Sequence, residues 1–167
     1  MNALSDLPKR TDITLAPGEF YFGSGWVRLH TLLGSCISIT LWHPAKQCGG
    51  MCHYLLPTRR QNRNLPRGNF ADDVIEMFLN EIKKVDTRPE EYEVKIFGGG
   101  NMFEVTKNTL KIGKNLVNVP QANINVGLHL LHANGFKVKA KDVGTIHHRK
   151  IYMELWNGDV WVRRAIK

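Results

Sequence analysis

Gly34-Ser35-Cys36 leads into one apolar stretch, and Gly49-Gly50-Met51-Cys52-His53 closes the next. A thiol that follows two small residues, with an imidazole one strand away, has the parts of a thiol hydrolase. The thiolate attacks a carbonyl, so the cysteine needs access, a proton acceptor and backbone donors for the oxyanion. Gly34 has no Cβ to hold a carbonyl off, and the N–H groups of the Gly34-Ser35-Cys36 turn can supply the donors. His53, near its ordinary pKa, can take the thiol proton and later return it to a leaving amine. The plainer readings are a buried strand cysteine and a histidine satisfied within a sheet.

Other groupings compete for the same residues. Cys36, Cys48, Cys52 and His53 form a set of sulfur and imidazole ligands that suits zinc. Cys52 and His53 are adjacent, however, and adjacent strand residues face opposite sides of a sheet. Gly98-Gly99-Gly100 can cradle a phosphate or approach an active site closely, with Gly99 as a substrate-binding candidate; no GxxxxGK[ST] or GxGxxG pattern favours the phosphate. Arg59, Arg60, Arg63 and Arg67 gather between Pro57 and Asn69, a run too polar to bury, and read as an exposed basic loop.

The elements that must position Cys36 and His53 follow from periodicity. Trp26 to Leu33 reads as a strand entering Gly34-Ser35. Cys36 to Trp42 alternates Ile37, Ile39 and Leu41 with Ser38 and Thr40, the pattern of a half-buried strand. After the turn at His43-Pro44-Ala45-Lys46, Gly49 to Leu56 returns as a strand stopped by Pro57, so the thiol and imidazole fall on neighbouring strands. Asn69 can cap a helix with the stripe Phe70, Val74, Ile75, Phe78, Leu79, Ile82 and Val85, and Asp72 and Asp73 favour its first turn. Tyr92 to Phe97 is a short strand, and a second helix runs from near Pro120 to Asn134, ended by Gly135. Ile151 to Arg164 alternates around Asn157-Gly158, a hairpin signal. Strands broken by two helices, without regular βαβ alternation, indicate a single-domain layered α+β fold with mixed and antiparallel sheets.

Composition narrows the class. At 167 residues and 43% hydrophobic, the chain suits one core, read as a polar leader over residues 1–15 followed by one domain over 16–167. Its apolar runs are too short to span a bilayer, and no basic-then-apolar signal opens it, which points to the cytoplasm, where three cysteines stay reduced. A net charge of +8 favours an acidic partner, whether a protein surface, a nucleic acid or an anionic lipid. No zinc-finger or RNP pattern speaks for nucleic acid.

The segments Leu32-Leu33-Gly34-Ser35-Cys36, Gly49-Gly50-Met51-Cys52-His53-Tyr54-Leu55-Leu56-Pro57 and Phe70-Ala71-Asp72 resemble the CheD family of chemoreceptor glutamine deamidases. So do Lys95-Ile96-Phe97-Gly98-Gly99-Gly100-Asn101-Met102-Phe103, Gly135-Phe136, Asp142-Val143-Gly144 and Val160-Trp161-Val162-Arg163-Arg164, carrying the resemblance from about Ala16 to the C-terminus. The resemblance implies an α/β/β layered fold and hydrolysis, without a cofactor or metal, of glutamine amides on methyl-accepting chemotaxis receptors. A non-catalytic adaptor on the same fold is the alternative. It further implies Cys36 as nucleophile, His53 as base and a threonine shortly before the cysteine as third member. Thr31, five positions before Cys36, is the candidate orienter, and His30, six before, the competing one. Gly34, Ser35 and Gly99 are the candidate oxyanion and substrate contacts. A CheC-type phosphatase is an expected partner. Between Thr106 and Gln121 the chain departs from the family pattern: Ile112-Gly113 is followed by Lys114 to Val119 before the helix.

Overall fold

A computed structural model describes residues 8–61, 64–102, 109–112 and 115–165 of the chain. These form strands β1 (Thr11–Thr14), β2 (Phe20–Ser24), β3 (Val27–Leu33), β4 (Ile37–His43), β5 (Cys48–Cys52), β6 (Glu93–Gly98), β7 (Thr109–Ile112), β8 (Asn115–Asn118), β9 (Val138–Val143), β10 (His148–Glu154) and β11 (Val160–Ala165). Helix α1 (Ala71–Lys84) lies between β5 and β6, and α2 (Val119–Ala133) between β8 and β9. One sheet has the order β1-β3-β10-β11 and a second the order β2-β5-β4-β6-β9, while β7 and β8 make a separate antiparallel pair.

Three layers result, as an α+β chain with two unequal apolar faces requires. Ile37, Ile39, Leu41, Cys52 and Tyr54 of the five-stranded sheet pack with Val74, Phe78, Ile82, Ile124 and Leu131 of the helices. The opposite face supplies Met51 and Phe97 to a second core with Leu29, Leu33, Ile151 and Met153 of the four-stranded sheet. The five-stranded sheet is therefore covered on both sides. That corrects the half-buried reading of β4: its Ser38 and Thr40, polar at alternate positions, are buried between the two sheets.

Several boundaries shift for identifiable reasons. α1 begins after Phe70, not with an Asn69 cap, because the Asn69 amide donates to the Pro66 carbonyl within a 3₁₀ turn over Arg67–Asn69. α2 is capped by Asn118, whose Oδ1 accepts from the Gln121 N–H at 3.1 Å. β6, α2 and β9 form one parallel crossover, the single βαβ unit among the described residues. The Asn157-Gly158 hairpin joins β10 to β11 through a loop longer than two residues, with Met153 paired to Val160. Residues 11–15, read above as part of a polar leader, belong to the fold. β1 pairs in parallel with β3, and as an edge strand it keeps most of its side chains in water, which is why its sequence is polar.

Candidate active site

β3 buries Leu29, Thr31 and Leu33 and turns Arg28, His30 and Leu32 outward, so Thr31 enters the space between the sheets. Its Oγ1 lies 2.7 Å from the Leu15 carbonyl and 2.7 Å from His53 Nδ1. A hydroxyl has one proton, and a carbonyl can only accept, so Thr31 donates to Leu15 and must accept from His53. The network assigns the proton to Nδ1 and leaves Nε2 with a lone pair. His30 points to the other face, its Nε2 3.0 Å from Thr14 Oγ1. Of these two, Thr31 is the one whose side chain contacts His53.

His53 and Cys36 share a face. Ile37 and Tyr54 exchange both backbone hydrogen bonds, at 3.0 and 2.9 Å, which extends the β4–β5 register past Cys52. That register sets Ser38 opposite His53 and leaves Cys36 as its diagonal neighbour, both facing the four-stranded sheet. The His53 backbone is tied on the far side by Gly18 and Glu19.

Burial sets the protonation of the pair. It pulls the His53 imidazole below its ordinary value, opposed by the Leu15 carbonyl and the Glu19 carboxylate. It pushes the Cys36 thiol up, opposed by the Ser35 hydroxyl. Both directions favour a neutral thiol beside a neutral imidazole.

The glycine run has a steric purpose. At Gly98, with φ +110°, a Cβ would lie 2.1 Å from the Cys36 carbonyl oxygen. Beyond it Gly99 N–H donates to the Cys36 carbonyl and Gly100 N–H to the Gly34 carbonyl, both at 2.9 Å. These amides hold the cysteine turn in place, which corrects the phosphate-cradle reading. Gly99 also lines a cavity of about 320 Å³ with Asn118, Gln121, Gly144 and Thr145, adjoining the turn.

Of the remaining candidates, Cys52 points into the helix-side core, where the Ile39 N–H donates to its Sγ, and burial pushes its thiol up to about 12. It therefore faces away from His53. Cys48 lies against Tyr92. Among the described residues no group of three or more His, Cys, Asp or Glu could hold a metal ion. The basic loop is less free than its composition suggests. Arg59 pairs with Asp73 in the first turn of α1, and Arg67 with Glu76 in its second; Arg60 is exposed, and Arg63 lies outside the described residues. Leu15 and Asn123 carry no motif signal, because one acts through its main chain and the other reaches the site from α2. Asn123 Nδ2 approaches the Leu55 carbonyl at 2.8 Å and the Ser35 carbonyl at 3.4 Å.

Residues 55–164 match the model of the family described as CheD chemotactic sensory transduction. A "Probable chemoreceptor glutamine deamidase CheD" of Pseudomonas savastanoi pv. phaseolicola is 42% identical over 91% of this chain and 84% of its own length. "Probable chemoreceptor glutamine deamidase CheD 3" of Dechloromonas aromatica is 43% identical over 90% and 86%. "Probable chemoreceptor glutamine deamidase CheD 2" of Albidiferax ferrireducens is 38% identical over 98% and 92%.

Proposed function

Because the chain belongs to the CheD family, we propose that it hydrolyses glutamine side-chain amides on methyl-accepting chemotaxis receptors to glutamates, through a thioester on Cys36. One observation carries the reading: a single hydroxyl, Thr31 Oγ1, fixes the tautomer of a buried imidazole that sits on the same sheet face as Cys36.

His53 Nε2 takes the Sγ proton as the sulfur attacks the glutamine Cδ, and the carbonyl π electrons move onto oxygen. Backbone donors of the Ser35-Cys36 turn steady that oxyanion, with Gly34 leaving room for the substrate carbonyl. The oxyanion collapses, the C–N bond breaks, and His53 gives its proton to the departing nitrogen, releasing ammonia. Nε2 then removes a proton from water, the hydroxide adds to the thioester, and the C–S bond breaks. The thiol regains its proton from His53 and the product is glutamate. The sum is amide plus water to acid plus ammonia, with His53 as base and acid in turn. Among the described residues no helix is long and apolar enough to cross a membrane, and action in the cytoplasm belongs to the same proposal.

The test incubates receptor cytoplasmic fragments with the protein and follows, by peptide mass spectrometry, exchange of side-chain NH₂ for OH. Wild type converts a defined set of glutamines and Cys36→Ala converts none. Identical spectra for the two proteins would sink the proposal.

A further inference from the structure

We propose that Asn123 is a positioning residue that fixes the Ser35–Cys36 peptide and so presents the Cys36 N–H to the developing oxyanion. The inference rests on the hydrolase reading of the site and adds to it a residue of α2, outside the strands that carry the chemistry.

Asn123 is fully buried. Its two close neighbours at Nδ2, the Leu55 and Ser35 carbonyls, can only accept, so its nitrogen must face them. One amide thus spans the chain just before the nucleophile and the chain just after the base. In a trans peptide the C=O and the following N–H point in opposite directions. Drawing the Ser35 carbonyl toward α2 therefore turns the Cys36 N–H away from it. The next peptide is held from the other side, since Gly99 N–H binds the Cys36 carbonyl at 2.9 Å. Both peptides flanking the thiol are fixed, and among the described residues neither Ser35 N–H nor Cys36 N–H has a partner. Donors held rigid and unspent are what oxyanion stabilisation needs.

The position of Asn123 is itself built. The Tyr54 hydroxyl donates to the Asn123 main-chain carbonyl at 2.6 Å. One turn on, Gly127 leaves out a Cβ that would lie 2.3 Å from that hydroxyl. Tyr54 adjoins His53 in sequence, so α2 docks on the sheet beside the base. The asparagine also carries a cost: Oδ1 is buried with no partner among the described residues. An apolar side chain of the same size would avoid that cost, so a position serving packing alone has no use for an amide.

The experiment measures kcat and KM for receptor-fragment deamidation, alongside the rate at which iodoacetamide alkylates Cys36, in wild type, Asn123→Leu and Tyr54→Phe. Alkylation needs the thiolate and His53 but no oxyanion donor. Asn123→Leu is expected to lower kcat by about 100-fold, the cost of losing one such donor, with KM and alkylation within about 3-fold of wild type. Tyr54→Phe keeps the amide and loosens its support, so it gives the same signature at about 5–10-fold and stands alone should Asn123→Leu fail to fold. A kcat near wild type in the folded variants overturns the inference, and so does an equal fall in alkylation, which marks general loosening of the turn. A wild type without Cys36-dependent deamidation overturns the hydrolase reading and this inference with it. An active wild type with an unaffected Asn123→Leu overturns the inference alone.

Discussion

Thr31 Oγ1 and His53 Nδ1 lie 2.7 Å apart, and the hydroxyl proton is already committed to the Leu15 carbonyl. The imidazole is therefore the donor, and its other nitrogen is free to act as a base. Thr31→Val keeps the shape and removes both interactions. It is expected to lower kcat by about 10–100-fold, as the imidazole loses its tautomer and orientation. It also leaves two buried polar groups unpaired, at a cost of about 1–3 kcal/mol in stability. Thr31→Ser should keep most of the activity. Equal kcat for the valine and serine variants would remove Thr31 from the mechanism.

The pH profile follows from the direction of the His53 shift. A base whose folded pKa lies below the ordinary 6.5 keeps its lone pair to lower pH, so the acid limb of kcat/KM falls below pH 6.5. Stability moves with it. The unfolded chain binds the proton first, so this contribution is present above pH 6.5 and is lost as pH falls through the lower folded value. Rate and urea-denaturation profiles between about pH 4.5 and 8 check both, and an acid limb centred above 6.5 would contradict the buried neutral imidazole.

Thiol alkylation separates exposure from activation. Cys48 and Cys52 are buried in the fold and Cys36 is partly open, so Cys36 reacts first on access alone. The informative comparison is His53→Ala, which should slow alkylation of Cys36 near neutral pH if His53 takes the proton. With the thiol pushed above its ordinary 9.0, the wild-type rate should go on climbing past pH 9. An unchanged rate in His53→Ala would leave Cys36 without a base.

Cys52 contributes an alkaline limit. Its thiol stays neutral in the fold to about 12, whereas the unfolded chain ionises near 9.0. The unfolded state then holds fewer protons, and this contribution declines as pH rises from 9 toward 12. Between pH 9 and about 10.5 the loss amounts to about 1–2 kcal/mol, and Cys52→Ala should show a correspondingly shallower decline in urea denaturation. Parallel slopes would refute it.

Arg149, 1% exposed, donates to Asp142, Thr145 and the Gly144 and His147 carbonyls. It holds the turn that lines the cavity beside the cysteine turn. Arg149→Met leaves the Asp142 carboxylate to Arg164 alone and strands the carbonyls. A loss of about 3 kcal/mol is expected, lowering Tm by roughly 6–12 °C. A shift under about 2 °C would show the buried guanidinium to be dispensable.

Much of this arrangement is readable from local chemistry. Small residues before Cys36, a histidine at the end of the next apolar stretch, the stripe of α1 and the alternation around Asn157-Gly158 report on neighbouring residues, and local periodicity encodes them directly. Residues 11–14 and 138–143 escape that reading, because an edge strand in water and a parallel strand reached through a helix carry little alternation. Tertiary structure decided what periodicity leaves open. Whether Thr31 or His30 meets His53 depends on which face of β3 is covered, and that is fixed only when the four-stranded sheet closes over Met51 and Phe97. The Leu15 carbonyl, the amides of Gly99 and Gly100 and the reach of Asn123 act through main chain or across distant segments, so no spacing records them. The sequence by itself determined a candidate thiol, a candidate imidazole and the layered class; packing of two sheets and one helix decided what stands behind each of them.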